Sequence, residues 1–347
     1  MLKVLSYITA ICILCGLSAC EAPSREFHHR SQQFGPQMDI TLHDVKPQTA
    51  EVAFATLDEN FAYLHKAWSP RIPGSLSRTN QLIKTGRPFS VGPSVMPLIE
   101  QAMALSEKTD GLFNPATGDL INLWQFHKYP ETEIAPPSAA AIQQLLDNNP
   151  QMSDLKFNGI KMHSNNPAIT LNMDAFARGY AIDLQIQQLE DMQIENAMIK
   201  TTGGIKAIGK QGEHPWEIAI QHPRLDTWLA KIELQDEESV FTSGDYQRFY
   251  VHNNTRYHAI LDPRTGYPAM NAQSVTVLHT DSGYADAAAT ALFIAGPQRW
   301  LKIAGQLGIN TAMLIDNKGT IYLSPEMKKR LVFNPQIETT IIVTATL

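Results

Sequence analysis

From Ala197 to Thr280 the chain is a succession of short apolar runs punctuated by glycine and proline: AMIKTTGGIKAIGK, PWEIAIQHP, LAKIELQ, SVFTSGDYQRFYV, YHAILDP and SVTVLHT. Short apolar runs between turn formers read as strands. Helical spacing of apolar residues marks TAEVAFATLDENFAYLHKAW (49–68), SVMPLIEQAMALSEKTDG (94–111, ending at Gly111) and ARGYAIDLQIQQLEDM (177–192). A half-buried strand is expected over 38–45, a turn over 69–77, and further strands around Ile160–Lys161 and Ala168–Met173. The proline-rich PETEIAPPSAAAIQQLLDN is expected to be a surface excursion with one short helix. Helices that bracket runs of successive strands predict an α+β fold built on antiparallel sheets, not an alternating parallel one. No internal repeat is present.

The first twenty residues, MLKVLSYITAICILCGLSAC, have an early lysine, an apolar run and Leu17-Ser18-Ala19-Cys20, the form of a cleaved export signal. The run Val4–Leu17 is short for a bilayer span, which needs about 20 mostly apolar residues. A small-residue site ending in cysteine resembles the bacterial lipoprotein signal and implies cleavage before Cys20 with acylation, palmitate included; a secreted protein cut near Ala19 is the other reading. All three cysteines lie here, so a chain cut before Cys20 keeps one thiol and forms no internal disulfide. Two or more acyl chains would anchor it stably. Glu21 after the cysteine resembles the sorting signal for the outer rather than the inner membrane, on its periplasmic face. Signal (1–19) and polar tether (20–33) then precede a fold that begins near Phe34 and runs to residue 347 as one large domain or two lobes. The net charge of −6, with mixed-sign patterning, argues against nucleic acid as the main partner and for small molecules or proteins.

The chemistry-bearing stretches each admit two readings. In YADAAATALFIAG, Asp286 and Thr290 lie one helical turn apart on one face. Either they converge on a hard cation such as Mg²⁺, or Asp286 serves a helix start while Thr290 bonds back to its own helix. NMDAFARGYAID places a turn before a helix expected near Ala175, whose free N–H groups and Arg178 suit a phosphate; a capped helix with solvated Arg178 and Asp183 is the alternative. Gly203–Gly204 allows close approach to a ligand or forms a strand bulge. TSGDY (242–246) and LDPRTGYP (261–268) are turn-forming, with Arg248 and Arg264 near them suited to bidentate phosphate contacts. Trp124 and Phe126 of GLFNPATGDLINLWQF suit core packing or a flat ring ligand. No HExxH, GxSxG or P-loop pattern occurs.

In their order along the chain, GLFNPATGDLINLWQF, NMDAFARGYAID, TTGGIKAIG, VFTSGDYQRFY, YHAILDPRTGYP and SVTVLHTDSGYADAAATALFIAG resemble the ApbE-like FAD:protein FMN transferases. The resemblance implies a two-lobed α+β domain with antiparallel sheets flanked by helices and FAD in the cleft. It implies an enzyme that splits FAD, releases AMP and esterifies the FMN phosphate to a Thr or Ser of an acceptor flavoprotein in an exported electron-transfer system. By position, it puts Mg²⁺ on Asp286, Thr290 and the Ala175 carbonyl. It puts flavin contacts on Phe34, Leu112, Phe113, Asn114, Asn172, Arg178 and Ile260. The base is left open among His258, Asp262 and Thr242. Departures from the family pattern are Ala259 for the usual histidine, with His258 one place earlier, and Gly204 for the usual aspartate. Asn172, Arg178 and Phe34-Gly35-Pro36 replace the family's usual residues as well. These departures leave two alternatives: a FAD-binding lipoprotein with little transferase activity, and a FAD pyrophosphatase.

Overall fold

The computed structural model describes residues 25–34, 37–128 and 134–345. The signal, Cys20 and Gly35-Pro36 lie outside the described residues. Nine strands form the central sheet: β1 (Glu26–Ser31), β2 (Met38–His43), β3 (Ala197–Thr201), β4 (Gly204–Ile208), β5 (Ser239–Gly244), β6 (Ala272–His279), β7 (Ala312–Asp316), β8 (Ile321–Leu323) and β9 (Ile341–Val343). They lie side by side in chain order. Each neighbouring pair is antiparallel except β8–β9, which is parallel. The expected α+β class with antiparallel sheets is therefore the observed one.

Eight helices are described: α1 (Pro47–Trp68), α2 (Ser75–Ile83), α3 (Met96–Lys108), α4 (Gly118–Trp124), α5 (Ala139–Asp147), α6 (Ala177–Asp191), α7 (Ser282–Leu307) and α8 (Pro325–Arg330). The two-residue alternation of strand side chains explains the layering. Phe241, Val275, Val277, Ala312 and Leu314 face the helices in the main core. Their neighbours Val240, Leu278, Met313 and Ile315 face a second core under the small sheet of Glu217–Gln221, Trp228–Glu233 and Val332–Phe333. With both faces covered, β6 is buried from Ala272 to Leu278. Each such buried aliphatic side chain contributes about 1.5–3 kcal/mol.

Helix α7 owes its place against the sheet to small residues: Ala285, Ala287, Ala288, Ala289 and Ala291 are all buried. It kinks at Gly296, whose φ of 66° precedes Pro297, where the proline removes a helical N–H. Its start is fixed by Asp281, which accepts from Tyr284 N at 2.7 Å. Asp183 of α6 fixes it too, accepting from Ser282 N and Gly283 N at 2.8 and 3.0 Å while bonded to Lys206 at 2.7 Å.

Several sequence expectations are corrected. Residues 26–31, expected within a tether, pair with β2 along their whole length, because alternate side chains such as Phe27 find the main core. The His28–His29 pair thus lies in a strand. Residues 168–173 form no strand; they make a single bridge, Thr170 to Thr117. Helix α2 starts inside the stretch expected to be a turn. Thr202-Gly203 is the tight turn between β3 and β4, with Gly203 at φ +85° as glycine readily allows, and Gly204 opens β4 opposite Thr201, so the pair forms no bulge. Thr242–Gly244 continue strand β5 instead of turning.

Candidate active site

A cavity of about 550 Å³ opens between the N-terminus of α6, the middle of α7, the ends of β3 and β5, and the loop before α4. That size falls within the roughly 300–1,000 Å³ typical of small-molecule sites. Leu112, Phe113, Ile121, Phe126, Ile260 and Ile294 give it apolar walls; Arg71, Asn172, Asp174, Arg178, Arg248 and Asp286 give it charge and hydrogen-bonding capacity.

Asp286 is the central carboxylate. It lies in the second turn of α7, and the capping role belongs to Asp281, so the helix-start reading does not hold. The backbone N–H of Gly179 acts on the Asp286 charge, while Oδ2 is buried without a partner. Burial raises its pKa to about 6, against the opposing pull of Arg178 and Gly179 N–H. Thr290, one turn on, bonds to Ser243 across the cavity wall at 3.0 Å instead of to its own helix. Both side chains line the cavity together with Ala175. An orphaned buried carboxylate oxygen beside a hydroxyl fits a hard cation, although no cluster of three or more His, Cys, Asp or Glu side chains exists among the described residues.

Helix α6 begins at Ala177 with no side-chain cap, at the start of the span 177–192 expected from its helical spacing and two residues after Ala175. Arg178 leaves Nε buried without a partner, and so does Asn172 with Nδ2; Asn172 Oδ1 accepts from Asp174 N at 2.9 Å. Arg71 binds Asp174 at 3.1 Å. Burial raises the Asp174 pKa, but Arg71, then Arg248 and Arg178, outweigh it and hold the carboxyl below its ordinary value. Arg248 is in turn lowered, first by desolvation and then by Arg178. Three guanidiniums thus surround one carboxylate at a helix N-terminus, an arrangement that favours a polyanion.

Of the residues singled out in the sequence, Leu112, Phe113, Asn114, Asn172, Ala175, Arg178, Thr242, Ile260, Asp286 and Thr290 all line this cavity. Phe34, His258 and Asp262 do not. Phe34 packs edge-on against Trp68 at 6.2 Å, next to Phe61. His258 is buried, with Nε2 2.8 Å from the Ala269 carbonyl and Phe293 5.5 Å from its ring. Asp262 is held by Arg264 through bonds of 2.9 and 2.6 Å, so Arg264 is spent inside its own loop and lies against a separate, smaller cavity. Trp124 is core, donating to Gly266 O at 2.8 Å; Phe126 is both core and cavity wall. Arg71, His127 and Asp174 were missed. Asp174 lies inside the recognised stretch NMDAFARGYAID and His127 directly follows GLFNPATGDLINLWQF, but neither was singled out, and Arg71 lies in a turn that carries no pattern.

An α+β fold with a cleft that pairs apolar walls with an arginine-rich helix N-terminus defines a binder of a phosphate-bearing ring compound. The ApbE family model matches residues 34–315, and the chain belongs to the ApbE family. It is 34% identical over 316 residues to an FAD:protein FMN transferase of Rhodobacter capsulatus, covering 91% of this chain and 60% of that protein. It is 26% identical over 341 residues to the FAD:protein FMN transferase of Haemophilus influenzae, covering 95% and 98%. The crystal structure of the ApbE protein from Thermotoga maritima superposes with a TM-score of 0.80 at 28% identity, covering 88% of this chain and 99% of that one.

Proposed function

We propose that this protein is an Mg²⁺-dependent FAD:protein FMN transferase that cleaves FAD, releases AMP and joins the FMN phosphate to a Thr or Ser hydroxyl of an acceptor flavoprotein. The carrying observation is the unpartnered Oδ2 of Asp286 beside the unpartnered Nε of Arg178 at the uncapped start of α6. In a family of flavin transferases, such unsatisfied buried groups are what a metal-bound pyrophosphate would complete. Leu112, Phe113 and Ile260 offer the apolar wall for the flavin, with Asn114 and Asn172 at its edge. Arg178, Arg248 and Arg71 would hold the pyrophosphate and take up charge that grows on its oxygens. Asp286, Thr290 and the Ala175 carbonyl would hold Mg²⁺, whose chemistry is to neutralise the phosphates for displacement.

The lipoprotein-like signal ending at Cys20 supports attachment to a membrane, facing the periplasm and more readily at the outer membrane; the acceptor would then be an exported or membrane-bound electron-transfer flavoprotein. No helix among the described residues is long and apolar enough to cross a membrane.

The test is incubation of the full-length protein, in detergent, with FAD, MgCl₂ and a flavin-free acceptor flavoprotein. A denaturation-resistant fluorescent acceptor band and stoichiometric AMP are expected, with neither in EDTA. A second reading, a FAD-binding lipoprotein with little activity, is favoured by Ala259, which lines the cavity where the family usually has histidine. It predicts a dark acceptor alongside measurable FAD binding. Free FMN and AMP without acceptor would instead indicate a pyrophosphatase.

A further inference from the structure

The acceptor hydroxyl must lose its proton as it attacks phosphorus, and the cavity offers few groups to take it. Ala259 presents only a methyl group, and His258 beside it is turned into the core against Phe293. Asp174 is tied to Arg71, and Asp262 to Arg264. The hydroxyl of Thr242 is engaged with Thr276 at 2.9 Å. Of the eleven histidines in the chain, His127 is the one that lines the cavity.

His127 is well supported there. It sits in a single 3₁₀ turn, Phe126–Lys128, that follows the left-handed Gln125 (φ 57°) at the end of α4. Lys128 N closes the turn onto Gln125 O at 2.8 Å. Phe126 anchors it, stacked on Trp124 at 5.8 Å and against Tyr250 at 5.3 Å. The charges that reach its ring are Arg71, Lys128, Arg248 and Asp174. Three of these also line the cavity, and Arg71 and Asp174 form the ion pair just before α6. His127 is therefore on the same side of the cavity as the arginine cluster.

We infer that His127 is the catalytic base of the transfer, taking over in this chain the place of the imidazole absent at Ala259. The inference rests on the transferase reading above. In the step, a lone pair of the acceptor Ser or Thr oxygen forms the new bond to the FMN phosphorus. The bond from that phosphorus to the bridging oxygen breaks, AMP leaves with its electron pair, and the hydroxyl proton passes to a ring nitrogen of His127. Desolvation, followed by Arg71, Lys128 and Arg248, lowers the imidazole below its ordinary pKa, so it is neutral and able to accept a proton at pH 7.

The test compares wild type, His127→Gln and His127→Ala in acceptor flavinylation with FAD and MgCl₂, alongside FAD binding by fluorescence titration. A positioned base contributes about 100-fold or more. His127→Gln is expected to lose at least about that factor in transfer rate while keeping its FAD affinity, and the acid limb of the wild-type pH profile should vanish. Added imidazole should restore part of the His127→Ala rate. A His127→Gln enzyme with wild-type rate or an unchanged acid limb overturns the inference, as does a rate loss that follows lost FAD affinity. If wild type itself transfers nothing, the transferase reading fails and takes this one with it; if wild type transfers and His127→Gln matches it, only the role of His127 falls.

Discussion

At Asp286 the chain leaves a carboxylate oxygen buried without a partner, and an uncompensated buried charge opposes folding. A group retained at such a cost points to use when ligand is bound. Asp286→Asn should therefore leave the metal-free thermal midpoint at pH 7 unchanged or raise it, abolish the rise in midpoint produced by MgCl₂ with FAD, and cut transfer by about 100-fold or more. Differential scanning calorimetry with and without MgCl₂ checks the first two, and in-gel fluorescence the third. His258 makes the opposite case: a titratable residue whose surroundings serve the fold. Burial pushes its pKa down to about 4, despite Asp245 and the Ala269 carbonyl pulling upward. Its folded pKa lies below the unfolded value of about 6.5. The unfolded chain thus binds the extra proton, and stability is complete above about pH 6.5 and lost as pH falls toward 4. At pH 5 this loss amounts to about 2 kcal/mol. In urea unfolding, His258→Asn should be less stable than wild type at pH 7 yet lose about 2 kcal/mol less between pH 7 and pH 5.

Helices α6 and α7 meet at their N-termini, and that meeting builds the charged part of the cavity. A Cβ on Gly179 would collide with the backbone of Ser282, so glycine is what lets α6 approach closely enough for its N–H to act on Asp286. Gly179→Ala should destabilise by about 1–3 kcal/mol, as overpacking does, and weaken the MgCl₂ response through displacement of Asp286, both readable in one set of thermal melts. Elements with long periodic patterns were legible in the sequence: α1, α3 and α6 lie within a few residues of their expected spans, and the strands between Ala197 and His279 fall in or overlap the expected runs, whereas β7, β8 and β9 beyond them were not placed. The short α2 and α8 carried too little pattern, since nine and six residues give fewer than three helical turns. Residues 168–173 read as a strand because they are apolar and buried, but burial there comes from the loop passing under α2, where Asn80 holds Leu171 through both backbone groups. The site was legible where chemistry lies on a regular element, as with Asp286 and Thr290 at helical spacing. Arg71 and His127 come from irregular turns, and their convergence is a property of the tertiary fold alone. The absent aspartate at Gly204 has a local cause as well: a Cβ there would overlap the Phe241 ring, so in this chain a core phenylalanine fills that space.

At the scale of the whole molecule, the sheet decides where the folded body begins. A polar, charge-mixed stretch such as REFHHRSQQ looks like a linker because its apolar content is low, yet an edge strand needs only one buried face. Strand β1 meets that need modestly: Phe27 leans on the main core, and His29 stacks on Phe54 at 4.9 Å and bonds Asp58 of α1 at 2.8 Å. It also pairs all six of its residues with β2, covering the edge of a strand whose Met38, Ile40 and Leu42 belong to the core. Removing β1 would expose that edge and its unpaired backbone groups, a template for intermolecular pairing. Two chains, one starting at Arg25 and one at Phe34, should therefore differ. Each kcal/mol of lost stability lowers the midpoint of a chain this size by roughly 2–4 °C, so the shorter chain should melt several degrees lower and aggregate on heating. Its FAD affinity should fall much less, because no residue of β1 lines the cavity. Equal midpoints and equal light scattering for the two chains would mean that residues 26–31 act as the tether their composition suggests, and that the working edge of the sheet is β2.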